Sequence, residues 1–218
     1  MTTPKDIAET VQAALSQGGF YGGRIDGILG PKSDRAYADL KEALKGGGGT
    51  EAWPKQDRAS MSAFYGDPDA DGNGKPDRSW EAKNLVSITP PYRMVLAWDT
   101  KSEVRTIKVH RRCADSLLRI LNAIKDHYGS QEAIEVARMH LYGGVYNFRM
   151  TRGGSRLSIH SWAAAIDLDP ERNGFGVPYR EGKGMMPKAV IEIFQAEGWV
   201  WGGPWRTADA MHFQAARI

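Results

Sequence analysis

Between Leu157 and Pro170 the chain reads LSIHSWAAAIDLDP, a run of small and apolar residues interrupted by His160, Asp167 and Asp169. The apolar residues predict a strand in the protein core. That is where a charged side chain costs most, because a carboxylate removed from water stays ionised only if it is paired, hydrogen-bonded or bound to a metal. A fold for this chain must therefore leave the segment at a solvated turn or build a metal site around it.

Bulk properties narrow the partners. A chain of 218 residues suffices for one sizeable domain and a small one. The formal net charge of +3 is too mild for a nucleic-acid partner, which would require a concentrated basic stripe. No stretch is apolar for long enough to span a membrane. Cys113 is the single cysteine, so no intramolecular disulfide forms, and a buried, inert thiol is expected. The opening MTTPKDIAETVQAAL has no basic segment followed by an apolar run, so synthesis in a host cytoplasm without a signal peptide is expected. A monomer is expected.

Three units are predicted. In the first, residues 1–45, Ile7, Val11 and Leu15 recur at helical spacing and Gly18-Gly19 ends the helix. Asp26-Gly27 marks a turn. Pro31 opens a second helix with Tyr37, Leu40 and Leu44 on one face. The stretch VQAALSQGGFYGGRIDGILGPKSDRAYADL resembles the peptidoglycan-binding domain type 1 repeat, in its V-Q-x-x-L helix and its Y-x-G-x-x-D-G-x-x-G-P turn. Lys41 departs from the family's usual glutamine. The resemblance implies a small all-α domain that binds bacterial peptidoglycan. The second unit is a flexible linker, residues 46–60, signalled by Gly46 to Gly49.

The third unit, residues 61–218, mixes strands and helices. DPDADGNGKPD places Asp67, Asp69 and Asp71 before Gly72 like the start of a calcium loop, but Arg78 stands where an EF-hand needs its glutamate. A polar turn is the expectation there, with bound calcium as the disfavoured alternative. MVLAW and VRTIKV read as strands, and Leu117, Leu118, Leu121 and Ile124 as a helical face closed by Gly129. GGVYNFRMTRGGSR reads as turn, short strand and basic loop. A helix follows Pro187, with Val190, Ile193 and Phe194 inward and Gly198 as its stop, and the chain closes as strand, turn, strand. The predicted class is α+β, a mostly antiparallel sheet with packed helices, beside the small all-α domain.

Of the five histidines, His110, His127 and His140 have no ligand-like partner at useful spacing and read as structural or exposed. His160 lies seven residues before Asp167, and His212 three after Asp209. A hydrolytic zinc site needs three protein ligands, an open position and a nearby base. These four residues supply that inventory.

SIHSWAAAID resembles the S-x-H-x-x-G-x-A-x-D motif of the zinc D-alanyl-D-alanine carboxypeptidase and L-alanyl-D-glutamate endopeptidase family. DAMHF is similar to its downstream D/E-x-x-H motif. The resemblance covers roughly Met61 to the C-terminus. It implies a hedgehog/DD-peptidase-like fold, with His160, Asp167 and His212 as ligands of one zinc ion and Asp209 as general base. Ser158 would orient the site through its hydrogen bonds. Ala163 stands at the family's glycine, and Met211 where some members carry tryptophan. The aspartate at the base position resembles the phage endolysin branch. Asp169 would share a strand face with Asp167, but DLDPERNG starts a turn, so Asp169 is expected to cap it. Of the two nearby arginines, Arg149 is favoured over Arg152 as the group that steadies an oxyanion or docks a carboxylate. Trp199, Trp201 and Trp205 are candidates for cleft walls or for core.

The function implied is zinc-dependent hydrolysis of an amide in the peptidoglycan peptide stem, by an endolysin acting on the wall after release from the cytoplasm. The alternatives are a D-alanyl-D-alanine carboxypeptidase of wall remodelling, or a wall-binding protein without activity.

Overall fold

The computed structural model describes residues 3–17, 21–38 and 53–218, and the chain divides into two compact units, 1–51 and 52–218. Gly18-Gly19, Leu40, Lys41, Leu44 and the glycines 46–49 lie outside the described residues.

In the smaller unit helix α1 spans Pro4–Gln17 and helix α2 is described over 31–38. The buried face of α1 is Ala8, Gln12 and Leu15, whereas Ile7 is 55% exposed. The apolar period alone places that face one residue too early, because the residue that decides it is polar. Gln12 is fully buried, and its side-chain oxygen accepts the N–H groups of Asp26 and Gly27 at 3.0 and 2.9 Å. Its amide donates to Asp26 Oδ1 and to the Ile28 carbonyl. The glutamine of the V-Q-x-x-L pattern thus ties the helix to the D-G turn, and Gly27 takes φ +72° there. Tyr37, expected inward, is exposed.

The larger unit holds helices α3 (Arg58–Tyr65), α4 (Arg78–Asn84), α5 (Arg111–Tyr128), α6 (Gln131–Val136) and α7 (Lys188–Ala196). Its strands are β1 (Leu85–Ile88), β2 (Val95–Leu96), β3 (Asp99–Glu103), β4 (Ile107–His110), β5 (Leu141–Gly144), β6 (Ala165–Leu168), β7 (Val200–Gly202) and β8 (Asp209–Gln214). β1 pairs with β4, and the other six form one sheet in the order β3-β2-β5-β6-β8-β7. Every pairing is antiparallel except β2 with β5. The larger unit is α+β, as its sequence pattern predicts. No described helix is long and apolar enough to cross a membrane.

Helix α5 buries Leu117, Ile120, Leu121 and Ile124, and Gly129 closes it in the left-handed region at φ 71°. His110 caps its start: Nδ1 accepts the Arg112 N–H, and Nε2 donates to the Tyr65 carbonyl at 3.0 Å. Burial pushes the His110 imidazole down to about 4, so it is neutral and structural. The Cys113 thiol is fully buried and raised to about 12 by that burial, which makes it inert.

Residues 53–60, placed in the linker by the glycine signal, belong to the larger unit. Trp53 packs edge-on against Phe64 and Trp199. Gln56 N–H donates to the Arg217 carbonyl and Arg217 N–H to the Pro54 carbonyl, each at 2.8 Å. The Asp67–Asp77 loop commits its carboxylates to protein partners. Asp67 meets Arg58, Asp69 accepts the Gly74 N–H, Asp71 accepts the Asn73 N–H and Asp77 accepts the Ala70 N–H. It is a polar turn.

Candidate active site

Strand β6 runs through the middle of the large sheet, between β5 and β8, and all its residues are buried. Asp167 on β6 sits directly across from His212 on β8, where cross-strand side chains lie close together. On the other side Asp167 faces Gly144, and the backbone of Gly143 runs so near that a Cβ there would lie 2.8 Å from the Asp167 Cβ. The sequence reads Gly143-Gly144 as a turn. The structure uses the pair as strand, and Gly143 is the space into which Asp167 fits.

His160 arrives from a different element, a short 3-10 helix at Ile159–Trp162. That helix ends at Ala163, in the left-handed region with φ 52° and no exposure. The position explains why a glycine stands in the resembled motif: alanine there costs roughly 1 kcal/mol more than glycine. The His160 carbonyl accepts the N–H groups of Ala163 and Asn147, which fixes the turn.

Three atoms meet between these elements. His160 Nε2 lies 3.1 Å from His212 Nδ1 and 3.3 Å from Asp167 Oδ1, and His212 Nδ1 lies 3.0 Å from Asp167 Oδ1. The outer nitrogens identify what these atoms are. His160 Nδ1 donates to the Val145 carbonyl at 2.8 Å, and His212 Nε2 donates to Gln214 Oε1 at 3.2 Å. In neutral imidazoles the inner nitrogens are then bare lone pairs, and they converge on a carboxylate oxygen. Three acceptors at this spacing repel one another unless a cation lies among them. Zinc bonds of about 2.0–2.1 Å in a tetrahedron separate ligand atoms by about 3.3 Å, so the donor set fits zinc in type and in spacing. Among the described residues this is the one group of histidine, cysteine and carboxylate side chains able to hold a metal ion.

The electrostatics agree. Burial pushes the Asp167 carboxyl up, but the charge and hydrogen bonds of His160 and His212 outweigh it and hold the group well below the usual carboxylate range. Burial disfavours the charged form of His212, yet Asp167 and Asp209 together raise its imidazole above the ordinary value. The pocket favours positive charge at its centre.

Asp209 reaches the same cavity through an irregularity. In a regular strand, residues three apart point to opposite faces, which would part Asp209 from His212. The β7–β8 register breaks between Trp201 and Gly202, so that Trp201 faces Phe213 while Gly202 faces Asp209. A Cβ on Gly202 would lie 2.6 Å from the Asp209 carbonyl oxygen, so glycine permits the break. Asp209, His160 and His212 all line a cavity of about 480 Å³. Asp209 Oδ1 is sealed from solvent with no hydrogen-bond partner among the described residues. Burial raises its carboxyl above the ordinary value; the charge of His212 pulls against that and Asp167 adds to it.

The remaining candidates separate clearly. Ser158 is buried and lines the cavity, and its backbone bonds to Arg149 and Ser161. The bonds that orient the imidazoles come from Val145 and Gln214 instead. Gln214 was legible, since it shares a strand face with His212; a carbonyl such as that of Val145 leaves no side-chain signal. Arg149 and Arg152 both line the cavity, joined by Arg156 and Arg206, which spacing did not reveal. Asp169 turns away at φ 44°, ion-pairs with Arg138 at 2.8 Å and accepts the Asn173 N–H through its carbonyl. Trp205 forms cavity wall, Trp201 lines a neighbouring depression, and Trp199 is core. His127 and His140 take no part.

Gly143→Ala is expected to weaken zinc binding about 10- to 100-fold, as for other changes that displace a ligand's support, because the new methyl and the Asp167 backbone cannot share the space. Competition with a chromophoric chelator reads this directly, and wild-type affinity in a folded variant would refute the close-approach argument.

Residues 152–215 match a family model described as D-alanyl-D-alanine carboxypeptidase, a span that contains His160, Asp167, Asp209 and His212. No curated protein and no solved structure matches the chain.

Proposed function

We propose that this chain is a zinc-dependent peptidase that hydrolyses an amide bond in the peptide stem of bacterial peptidoglycan. The observation that carries the reading is the convergence of His160 Nε2, His212 Nδ1 and Asp167 Oδ1 at 3.0–3.3 Å, with the outer imidazole nitrogens committed elsewhere. The family match over the same residues supports the peptidoglycan substrate.

His160, Asp167 and His212 would hold the metal. Bound there, zinc supplies a Lewis acid that polarises a carbonyl and acidifies water. Asp209 takes the proton from the attacking water and returns it to the leaving amine. A carboxyl raised by burial suits both halves of that task, because its basicity lies nearer neutrality than that of a free aspartate. Arg149, on the cavity wall, steadies the oxygen on which negative charge develops. Val145 and Gln214 keep the imidazoles in the tautomer that presents bare nitrogens inward.

The bond proposed is L-alanyl-D-glutamate or its neighbour, cut by an endopeptidase of the phage endolysin kind. A second depression, sharing Trp205 and Arg206 with the site cavity, continues past it. That continuation suits a substrate extending on both sides of the cut. The carboxypeptidase reading is favoured instead by the description of the matching family. Mass spectrometry of digested peptidoglycan decides between them. Stem fragments with a new amino terminus at glutamate support the endopeptidase, and free D-alanine as main product, with stems still on the glycan, assigns the carboxypeptidase. As an endolysin the protein would accumulate in the host cytoplasm and act on the wall after release, as a monomer.

The smaller unit is proposed to bind wall. Deleting residues 1–49 is expected to leave soluble-stem hydrolysis within about twofold while weakening retention on insoluble wall. A pull-down in which the truncated chain is retained as well as the full chain would remove the targeting role.

A further inference from the structure

The site cavity is ringed by four arginines, Arg149, Arg152, Arg156 and Arg206. Arg152 and Arg156 sit on a tight turn closed by the Met150–Leu157 bridge and by the Thr151 N–H donating to the Arg156 carbonyl at 2.7 Å. Arg206 comes from a separate segment, the loop between β7 and β8. Two separate loops therefore bring guanidinium groups to one opening. The whole chain has a net charge of only +3, so this concentration is not a sample of a uniformly basic surface.

Four other arginines of the larger unit meet carboxylates: Arg58 with Asp67, Arg93 with Glu135, Arg119 with Glu197 and Arg138 with Asp169. None of the four at the cavity has an ion-pair partner among the described residues. Arg149 bonds only the adjacent Met150 carbonyl through its side chain, and Arg152 lies over the Phe175 ring. The one carboxylate side chain that lines the cavity is Asp209, which the proposed chemistry already uses. Guanidinium groups offer paired N–H donors that match a carboxylate. Several of them beside the apolar lining residues Ile159, Phe175 and Met211 suit a short peptide with more than one negative charge.

Building on the peptidase reading, we propose that the cavity selects stem peptides carrying at least two free carboxylates near the scissile amide, and rejects the same stems when those carboxylates are amidated. Arg156 and Arg206 are the specificity-determining residues, one on each loop. They bind the substrate and take no part in bond breaking.

The test uses two synthetic stems, L-alanyl-γ-D-glutamyl-diaminopimelate and the same peptide with all of its carboxyls, the one on glutamate and the two on diaminopimelate, converted to amides, given to the full chain. The free-acid stem is expected to be favoured about tenfold or more in kcat/KM, since charge-assisted hydrogen bonds are individually worth about one such factor. The preference should shrink as salt rises from about 20 to 500 mM. Arg156→Gln and Arg206→Gln should each lower the ratio of the two rates towards one, while Arg105→Gln, remote from this cavity, should not. Equal rates on both stems overturn the inference and leave the peptidase reading standing. Cleavage of neither stem counts against the peptidase reading, and calorimetric binding then decides the inference: tighter binding of the free acid sustains it, and equal or absent binding ends it.

Discussion

Replacement of His160 by alanine is expected to abolish zinc binding and hydrolysis together. His160 supplies one of three converging donors, and it is the one that does not come from the sheet. Its loss leaves Asp167 and His212 as a two-donor site, and two donors hold zinc far more weakly than three. Disturbing the support of a ligand typically costs 10- to 100-fold in affinity, so removing the ligand itself should exceed about a hundredfold. Hydrolysis should fall to background. Because metal bound to the native state stabilises it by mass action, the wild-type protein should melt at higher temperature with zinc than with chelator, and His160→Ala should lose that difference. Elemental analysis after dialysis, paired with a melting curve, reads both. A folded variant that retains one equivalent of zinc would remove His160 from the site.

The second large effect separates chemistry from metal binding. Asp209→Asn should keep zinc at wild-type affinity yet lose about a hundred- to ten-thousandfold in kcat, the range seen when a general base is removed. The amide preserves the shape of a residue whose position depends on the register break at Gly202, so the backbone has no reason to move. KM should change little, because Asp209 acts on the water. A variant with zinc bound and near wild-type kcat would assign the base to another group.

The site and the fold were legible to different depths. The His160–Asp167 pair stood out because a charged residue in a run of buried alanines demands a partner, and β6 is buried on both faces as that run requires. The pairing of Asp167 with His212 was not legible, since strand register depends on contacts far apart in sequence. The motif resemblance alone put Asp209 at the site; regular strand geometry argues against it, and the break opposite Gly202 permits it. Glycine pairs mislead in both directions. Gly143-Gly144 reads as a turn but serves as strand beside Asp167, whereas Gly129 reads as a helix stop and is one. On α1 the fully buried Gln12 was invisible to a hydrophobic pattern, because its stabilising role lies in hydrogen bonds to the turn at Asp26-Gly27. The basic loop was seen, but Arg206 joins it only through the fold.

Zinc held by His160, Asp167 and His212 is proposed to be what this chain needs to cut peptide stems. The most direct measurement is the appearance of new amino groups when purified peptidoglycan is treated with zinc-loaded protein, with chelator-stripped protein, and with stripped protein returned to zinc. New amino termini are expected in the first, none in the second and recovery in the third. Amino termini released at the same rate by fully stripped protein, or none released by protein containing one equivalent of zinc, would contradict that role for zinc.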